Sequence, residues 1–205
     1  STDAFSIVQG TNPQITHWLA THPAVQAIGF TGSGMVGKLL IDISHKRKVP
    51  IPVYAEMSSI NPVYLLPEAL KNRADAIATG FVNSLLMGSG QFCTNPGLLI
   101  VKEAPELDAF IGKVAELVSA ATPSTMLTPG IHQAYESGVA KLKANSNVQE
   151  IAQAKETSGP NQCRANLFVT NAKAFLQDHA LRDEVFGSSS LIIKCTTDDE
   201  VLELT

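Results

Sequence analysis

Cysteine is scarce in this chain of 205 residues, which contains only Cys93, Cys163 and Cys195. An odd number of cysteines at wide spacing provides no disulfide framework and no CxxC zinc knuckle. The five histidines also lack the spacing of a metal-ligand cluster. We therefore expect a protein of a reducing compartment, the cytoplasm, with no resident metal ion.

Positive charge and long apolar runs are lacking as well. The chain has 15 Lys and Arg against 19 Asp and Glu, a formal net charge of −4. Because the sequence has no basic patch, we do not expect nucleic acid or an anionic membrane as a partner. No window reaches the ~18 apolar residues of a membrane span, and no basic-then-apolar start suggests a signal peptide.

Both ends of the sequence have features of a longer protein. There is no initiator Met, and residues 5–8 (FSIV) already have a strand-like pattern. Thr197 and Glu200 have the spacing of a capping box that opens a helix, but the chain ends about two turns later. We expect this chain to be a piece of a larger protein.

Between the ends, strand and helix patterns alternate. Apolar residues at helical spacing predict helices at 13–20, 34–46, 67–87, 105–121, 130–144 and 171–180. Short apolar or alternating runs predict strands at 25–30, 49–56, 98–101, 148–153, 165–169 and 189–195. Such alternation favours an α/β fold with a largely parallel sheet. The turn-rich segment 58–62 predicts a boundary between domains 1–58 and 59–205.

Cys93 is the first candidate for chemistry. It lies in the run 91–97 (QFCTNPG), between Gly88-Ser89-Gly90 and an apolar strand. A thiolate on such a turn can attack a substrate while nearby N–H groups stabilise an oxyanion. The alternative is an inert buried thiol, the usual fate of a free cysteine. Asn95 either orients this loop or caps a turn.

A literal GxGxxG motif covers residues 32–37, after a predicted strand and before a predicted helix. This context fits a dinucleotide site, in which the helix N-terminus receives a pyrophosphate. Glu56, 19 positions after Gly37, has three interpretations: a ribose ligand, a general base facing Cys93, or a solvated carboxylate at a strand end. The alternative for the motif is an ordinary strand–turn–helix connection, and composition does not choose.

Four segments together resemble the aldehyde dehydrogenase superfamily. They are residues 30–33 (FTGS), 55–57 (AEM), 90–97 (GQFCTNPG) and 184–187 (EVFG), in that family's order. Residues 54–70, with the CTNPG run, resemble the α-ketoglutaric semialdehyde (2,5-dioxovalerate) dehydrogenase branch. The resemblance implies a three-layer α/β/α catalytic domain at 59–205, truncated at its C-terminus. Residues 1–58 would be the second part of a Rossmann-like cofactor domain.

The resemblance also implies roles for individual residues. Cys93 would add to the aldehyde, pass through a thiohemiacetal and a thioester, and supply its backbone N–H to the oxyanion hole. Glu56 would be the general base that activates water. NADP or NAD would be the cofactor, held by the following set: Thr31, Gly32, Ser33, Met57, Glu184 and Phe186. A small aldehyde would be the substrate, and the full-length protein would be a homodimer or homotetramer.

Two departures and several absences qualify this resemblance. Met57-Ser58 replaces the usual Leu-Gly, and Ser188 replaces a usual Pro. The asparagine that completes the oxyanion hole and the adenosine-binding residues would lie outside this chain, so we expect the isolated chain to be inactive. A cysteine-dependent acyltransferase or hydrolase, and a non-catalytic nucleotide-binding module, are the alternative functions.

Overall fold

The computed structural model describes residues 4–205. The chain forms two compact units that divide between Ser58 and Ser59. The first unit alternates helix and strand: α1 (Gln14–Thr21), β1 (Ile28–Gly32), α2 (Gly34–His45) and β2 (Val53–Met57). The two strands are parallel, with Thr31 opposite Glu56 and Gly32 opposite Met57.

Arg47, which follows α2, binds backbone carbonyls of the segment at and after the end of α1. Its guanidinium donates to the carbonyl oxygens of Ala20, His22 and Val25 at 2.6, 3.0 and 2.9 Å. Because a guanidinium presents five donors in a fixed fork, one side chain can bind several carbonyls at and after the end of α1. Arg47 therefore joins the segment after α2 to the end of α1.

Three strand predictions in this unit need correction. Residues 5–8 are not a strand: they pair with no strand among residues 4–205, and Phe5, Ile7 and Val8 are exposed. The strand predicted at 25–30 forms at Ile28–Gly32 instead. The strand predicted at 49–56 begins only at Val53, because Pro50 and Pro52 have no N–H for a strand ladder.

The second unit is built on a five-stranded sheet. Its strands are β3 (Pro62–Leu65), β4 (Leu98–Lys102), β6 (Gln149–Gln153), β8 (Asn166–Asn171) and β9 (Ser189–Cys195). Their order in the sheet is β3-β4-β9-β8-β6, and only the edge strand β6 is antiparallel to its neighbour. Two short antiparallel strands, β5 (Ser124–Thr125) and β7 (Gln162–Cys163), pair separately.

Helices cover both faces of this sheet. On one face, α3 (Pro67–Leu86) and α4 (Leu107–Ala120) pack against Leu99 and Ile192. On the other face, α5 (Pro129–Ala144), α6 (Ala172–Gln177) and α7 (Asp198–Glu203) pack against a separate set that includes Ile100 and Phe168. Successive strand side chains point to opposite faces, so one strand supplies both cores. The predicted α/β fold, with a largely parallel sheet between helices, is confirmed.

The boundaries in this unit differ from the prediction in three places. β3 was not predicted, and a 3₁₀ turn (His179–Arg182) replaces the end of the helix predicted at 171–180. The short strands β5 and β7 were also missed. The capping box predicted at Thr197 and Glu200 is present and opens α7.

Candidate active site

Three loops of the second unit lie side by side because of the strand order. Residues 59–61 lead into β3, residues 91–97 lead into β4, and residues 184–188 lead into β9. These three strands are neighbours and run in the same direction. Their amino ends therefore meet at one edge of the sheet, and the loop that carries Cys93 lies between the other two.

Cys93 occupies the tip of a β-turn. The turn is closed by Asn95 N–H, which donates to the Phe92 carbonyl at 3.1 Å, and Cys93 and Thr94 are its central residues. The Cys93 side chain is exposed. Its backbone N–H donates no hydrogen bond within residues 4–205, so this N–H is free to donate to a ligand.

Neighbouring segments fix this turn on both sides. The Asn61 side-chain amide donates to the Thr94 carbonyl at 2.7 Å, and Gly97 N–H donates to the Ile60 carbonyl at 3.1 Å. On the opposite side, Leu127 N–H donates to the Gln91 side-chain oxygen at 3.0 Å. These contacts hold the backbone of the turn in place without covering the thiol.

A 3₁₀ turn at Met87–Gly90, just before the Cys93 loop, lies against the segment that precedes β9. Gly90 has φ of +67°, and a Cβ added there would lie 2.2 Å from the Gly187 carbonyl carbon. Gly187 in turn packs on the Tyr135 ring, because a Cβ added at Gly187 would lie 2.2 Å from Cδ2 of that ring. The backbones of the two loops are thus in direct contact, which only glycine allows.

Glu184 and Phe186 lie in the segment that precedes β9, next to the Cys93 loop. The Glu184 carboxylate is half-buried and accepts a hydrogen bond from Ser59 N–H at 3.3 Å. Phe186 is 37% exposed. Both residues line a small cleft together with Ser59, Phe92 and Asn95. A carboxylate and an exposed ring beside a thiol loop can bind a hydroxylated, partly aromatic ligand.

The remaining predicted site residues lie together in the first unit. Thr31 and Gly32 end β1, and Glu56 and Met57 end β2, so all four lie at the carboxyl edge of this strand pair. The Glu56 side chain is exposed. Ser33 is the N-cap of α2.

The GxGxxG segment uses its own N–H groups for capping. Gly34 N–H donates to Ser58 Oγ at 3.0 Å, and Val36 N–H donates to Ser33 Oγ at 3.4 Å. Met57 Sδ packs over Gly37 in the first turn of the helix. These contacts cap the first turn of α2, as in an ordinary strand–turn–helix connection.

The other two cysteines are buried in the second unit. Burial raises the pKa of the Cys195 thiol to about 11 and also raises the pKa of Cys163. Both thiols stay protonated at neutral pH, so neither resembles a nucleophile. Of the three cysteines, Cys93 alone is exposed.

Sequence reasoning left the role of Asn95 open and gave none to Gly187. Asn95 is buried, and its side chain reaches Gly187, 92 residues away. No local sequence signal marks this contact.

Among residues 4–205, no group of three or more His, Cys, Asp and Glu residues could hold a metal ion. No helix in that range is both long and apolar enough to cross a bilayer.

Comparisons with known proteins place similar sequences in one enzyme family. A model described as the aldehyde dehydrogenase family matches residues 2–205. Alpha-ketoglutaric semialdehyde dehydrogenase 2 of Azospirillum brasilense is 48% identical over 197 residues, covering 96% of this chain and 38% of that protein. Alpha-ketoglutaric semialdehyde dehydrogenase of Acinetobacter baylyi is 38% identical over 183 residues, covering 89% and 34%. The chain therefore spans little more than a third of each relative.

Solved structures show the same fold. Gamma-glutamyl-gamma-aminobutyraldehyde dehydrogenase from Burkholderia cenocepacia superposes with a TM-score of 0.76 at 20% identity, covering 92% of this chain and 39% of that one. Proline utilization A from Bdellovibrio bacteriovorus gives 0.80 at 16% identity, covering 94% and 21%. At such identities the likeness concerns the fold alone.

Proposed function

The chain belongs to the aldehyde dehydrogenase family, and on this premise we propose that it forms part of a longer enzyme that oxidises an aldehyde to a carboxylate. The observation that carries the proposal is the Cys93 turn. Its thiol is exposed, its backbone is fixed by neighbouring segments, and its N–H is free among the described residues. An acyl-transfer nucleophile requires this combination.

In the proposed reaction the Cys93 thiolate adds to the aldehyde carbon and forms a thiohemiacetal. The Cys93 N–H donates to the oxygen that becomes negative during this addition. Loss of hydride leaves a thioester on Cys93, and Glu56 removes a proton from the water that hydrolyses it. The carboxylate product leaves, and the thiol is regenerated.

NAD or NADP supplies the hydride acceptor when it is bound. The residues of the second unit fit its nicotinamide half. One Glu184 oxygen accepts from Ser59 N–H, so the carboxylate has capacity left to accept from a ribose hydroxyl. The exposed Phe186 ring lines the same cleft. In the first unit we assign Thr31, Gly32, Ser33 and Met57 to the same cofactor.

The names of the two relatives supply the substrate proposal, α-ketoglutaric semialdehyde. We assign Ser1–Ser58 to the cofactor-binding domain and Ser59–Thr205 to the cysteine-bearing domain. A cytoplasmic homo-oligomer is the proposed form of the whole enzyme.

Two variants of the longer protein test this chemistry through the formation of reduced nicotinamide. Cys93→Ala removes the nucleophile, so turnover should fall to background. Glu56→Gln removes the base, so a single burst should precede a steady state slowed about 10²- to 10⁴-fold. Mass spectrometry should then detect the acylated Cys93 peptide. Full turnover by Cys93→Ala would refute Cys93 as the nucleophile, and consumption of the aldehyde without any nicotinamide would favour a cysteine-dependent hydrolase or acyltransferase instead.

The 205-residue chain alone should not turn over the aldehyde. It spans 38% of the length of the Azospirillum relative, and we place the adenosine-binding residues outside it. Purified chain, assayed beside the longer protein at equal concentration of Cys93, should give no reduced nicotinamide. Measurable turnover by the chain would contradict this part of the proposal.

A further inference from the structure

Asn95 is a buried polar residue that connects two loops of the candidate active site. Its side chain is 9% exposed, and Nδ2 donates to the Gly187 carbonyl oxygen at 3.1 Å. The carbonyl can only accept, so the amide must present its NH₂ group to Gly187. The same carbonyl oxygen also accepts from Ser189 N–H at 2.7 Å, so the Asn95 amide is one of its two donors.

The position of this bond relates the two loops directly. Asn95 follows Cys93 by two residues, and Gly187 follows Phe186 by one and Glu184 by three. The bond therefore spans the turn that carries the thiol and the segment that carries the proposed cofactor contacts. The closure of the Cys93 turn does not need this side chain, because it uses the backbone N–H of Asn95.

Tyr135 holds Gly187 in place, so the Asn95–Gly187 hydrogen bond joins two loops whose backbones are both fixed. Gly187 lies on the Tyr135 ring. The Tyr135 hydroxyl lies 3.0 Å from the Ser188 carbonyl oxygen and 2.7 Å from that of Arg164, either of which can accept its proton. It also accepts from Asn166 Nδ2 at 2.9 Å. Burial raises the pKa of Tyr135 above its usual range, so this hydroxyl stays a neutral donor.

We propose that Asn95 is a positioning residue that couples the Cys93 turn to the Glu184–Phe186 segment through the carbonyl of Gly187. This inference rests on the proposed function, because the two loops share one reaction only if the segment binds the cofactor. Loss of the side chain should displace the thiol and the cofactor contacts together. A residue that merely caps the turn would affect the thiol alone.

Thr170→Val is a matched control for Asn95→Ala. The Thr170 hydroxyl is 6% exposed and donates to the Asn147 carbonyl at 2.7 Å, so each variant removes one buried donor to a backbone carbonyl. Thr170 lies in β8, outside the three loops. Asn95→Asp is a second variant, because it keeps the shape of the side chain and removes its donor.

In the longer protein, Asn95→Ala and Asn95→Asp should lower kcat about 10- to 100-fold, the effect expected of a misplacement near 1 Å. They should also raise KM for the nicotinamide several-fold, whereas Thr170→Val should change neither parameter. Asn95→Ala with the kinetics of Thr170→Val would overturn the proposal. So would a lowered kcat at unchanged nicotinamide KM, because only the thiol turn would then be affected.

A second measurement on the 205-residue chain needs no turnover. Hydrogen exchange should accelerate together in residues 88–95 and 184–188 of Asn95→Ala, and in neither segment of Thr170→Val. Acceleration confined to 91–95 would identify a turn cap and overturn the proposal. If the unmodified longer protein lacks aldehyde turnover, the proposed function fails by itself, and the exchange experiment still decides whether Asn95 couples the two loops.

Discussion

Gly90 provides the most direct test of how closely the two loops of the candidate site pack. Its φ is +67°, a left-handed conformation that L side chains rarely adopt. A Cβ at this position would lie 2.2 Å from Gly187 C, 2.4 Å from Gly187 O and 2.4 Å from Ser188 N. All three are backbone atoms, so no flexible side chain can move aside.

Gly90→Ala should therefore destabilise the second unit through two separate effects. The left-handed conformation costs a non-glycine residue roughly 1–2 kcal/mol, and overpacking typically costs a further 1–3 kcal/mol. We expect a loss of about 2–5 kcal/mol in the free energy of unfolding. Gly112→Ala is the matched control, because Gly112 lies within α4 and nothing lies within 4 Å of its added Cβ. There the same substitution should stabilise by about 0.5–1 kcal/mol.

Urea unfolding followed by circular dichroism measures both variants. The two circular dichroism midpoints should move in opposite directions. A loss below about 1 kcal/mol for Gly90→Ala would refute the close packing, since it would mean that the loops separate at little cost.

Three further predictions concern thiols, a buried hydroxyl and a helix cap. Iodoacetamide at neutral pH should label Cys93 in the folded chain long before Cys195, whose pKa burial raises to about 11; equal rates by peptide mass spectrometry would contradict the structure. Ser188→Ala should leave stability unchanged or raise it by about 1 kcal/mol, because the buried Ser188 hydroxyl has no partner among the described residues; a clear loss in urea unfolding would show that the hydroxyl is satisfied. The backbone N–H and then the hydroxyl of Thr196 lower the pKa of Glu200. The ionised Glu200 therefore stabilises the cap of α7 fully above the ordinary glutamate pKa of about 4.3, and this stabilisation is lost as pH falls through the lowered pKa. Hydrogen exchange in α7 should increase over that acidic range. Glu200→Gln should abolish the acid-dependent increase.

The long helices could be predicted from the sequence because their determinants are local. In α4 and α5 the apolar residues repeat at helical spacing over 14 and 16 residues, and both lie close to their predicted bounds. Thr197 and Glu200 likewise defined the start of α7, because a capping box needs only residues within one turn. The order of these helices with buried strands was sufficient to predict the α/β fold class.

Strands were less predictable, because a strand exists only with a partner. Residues 5–8 (FSIV) are rich in strand-forming residues, yet no strand among residues 4–205 pairs with them. β3 shows the reverse case: it is four residues long, begins at Pro62, and was not predicted from its pattern. It forms at an edge of the sheet because β4 offers a parallel partner more than thirty residues away.

Only those parts of the candidate site that depend on residues adjacent in the sequence could be predicted. The run around Cys93 predicted the thiol loop, and the resemblance to aldehyde dehydrogenases assigned roles to Glu184 and Phe186, which stay predictions. The contact of Asn95 with Gly187 joins residues 92 positions apart, and nothing in either local sequence specifies it. The GxGxxG motif did not choose between its two interpretations, and the contacts of its N–H groups with Ser33 and Ser58 are also not specified by its pattern.

The direction of the strands explains why the thiol turn can be exposed and rigid together. The proposed cofactor-binding residues of the first unit lie where their strands end, at the carboxyl edge where α/β proteins usually bind ligands. Cys93 instead precedes its strand, and Leu98, Leu99, Ile100 and Val101 are at most 5% exposed. Because these buried residues anchor the turn at its C-terminal side, the thiol needs no cover of its own to stay in place. We therefore expect the placement of the Cys93 thiol to depend on the packing of β4 as well as on the loops beside it.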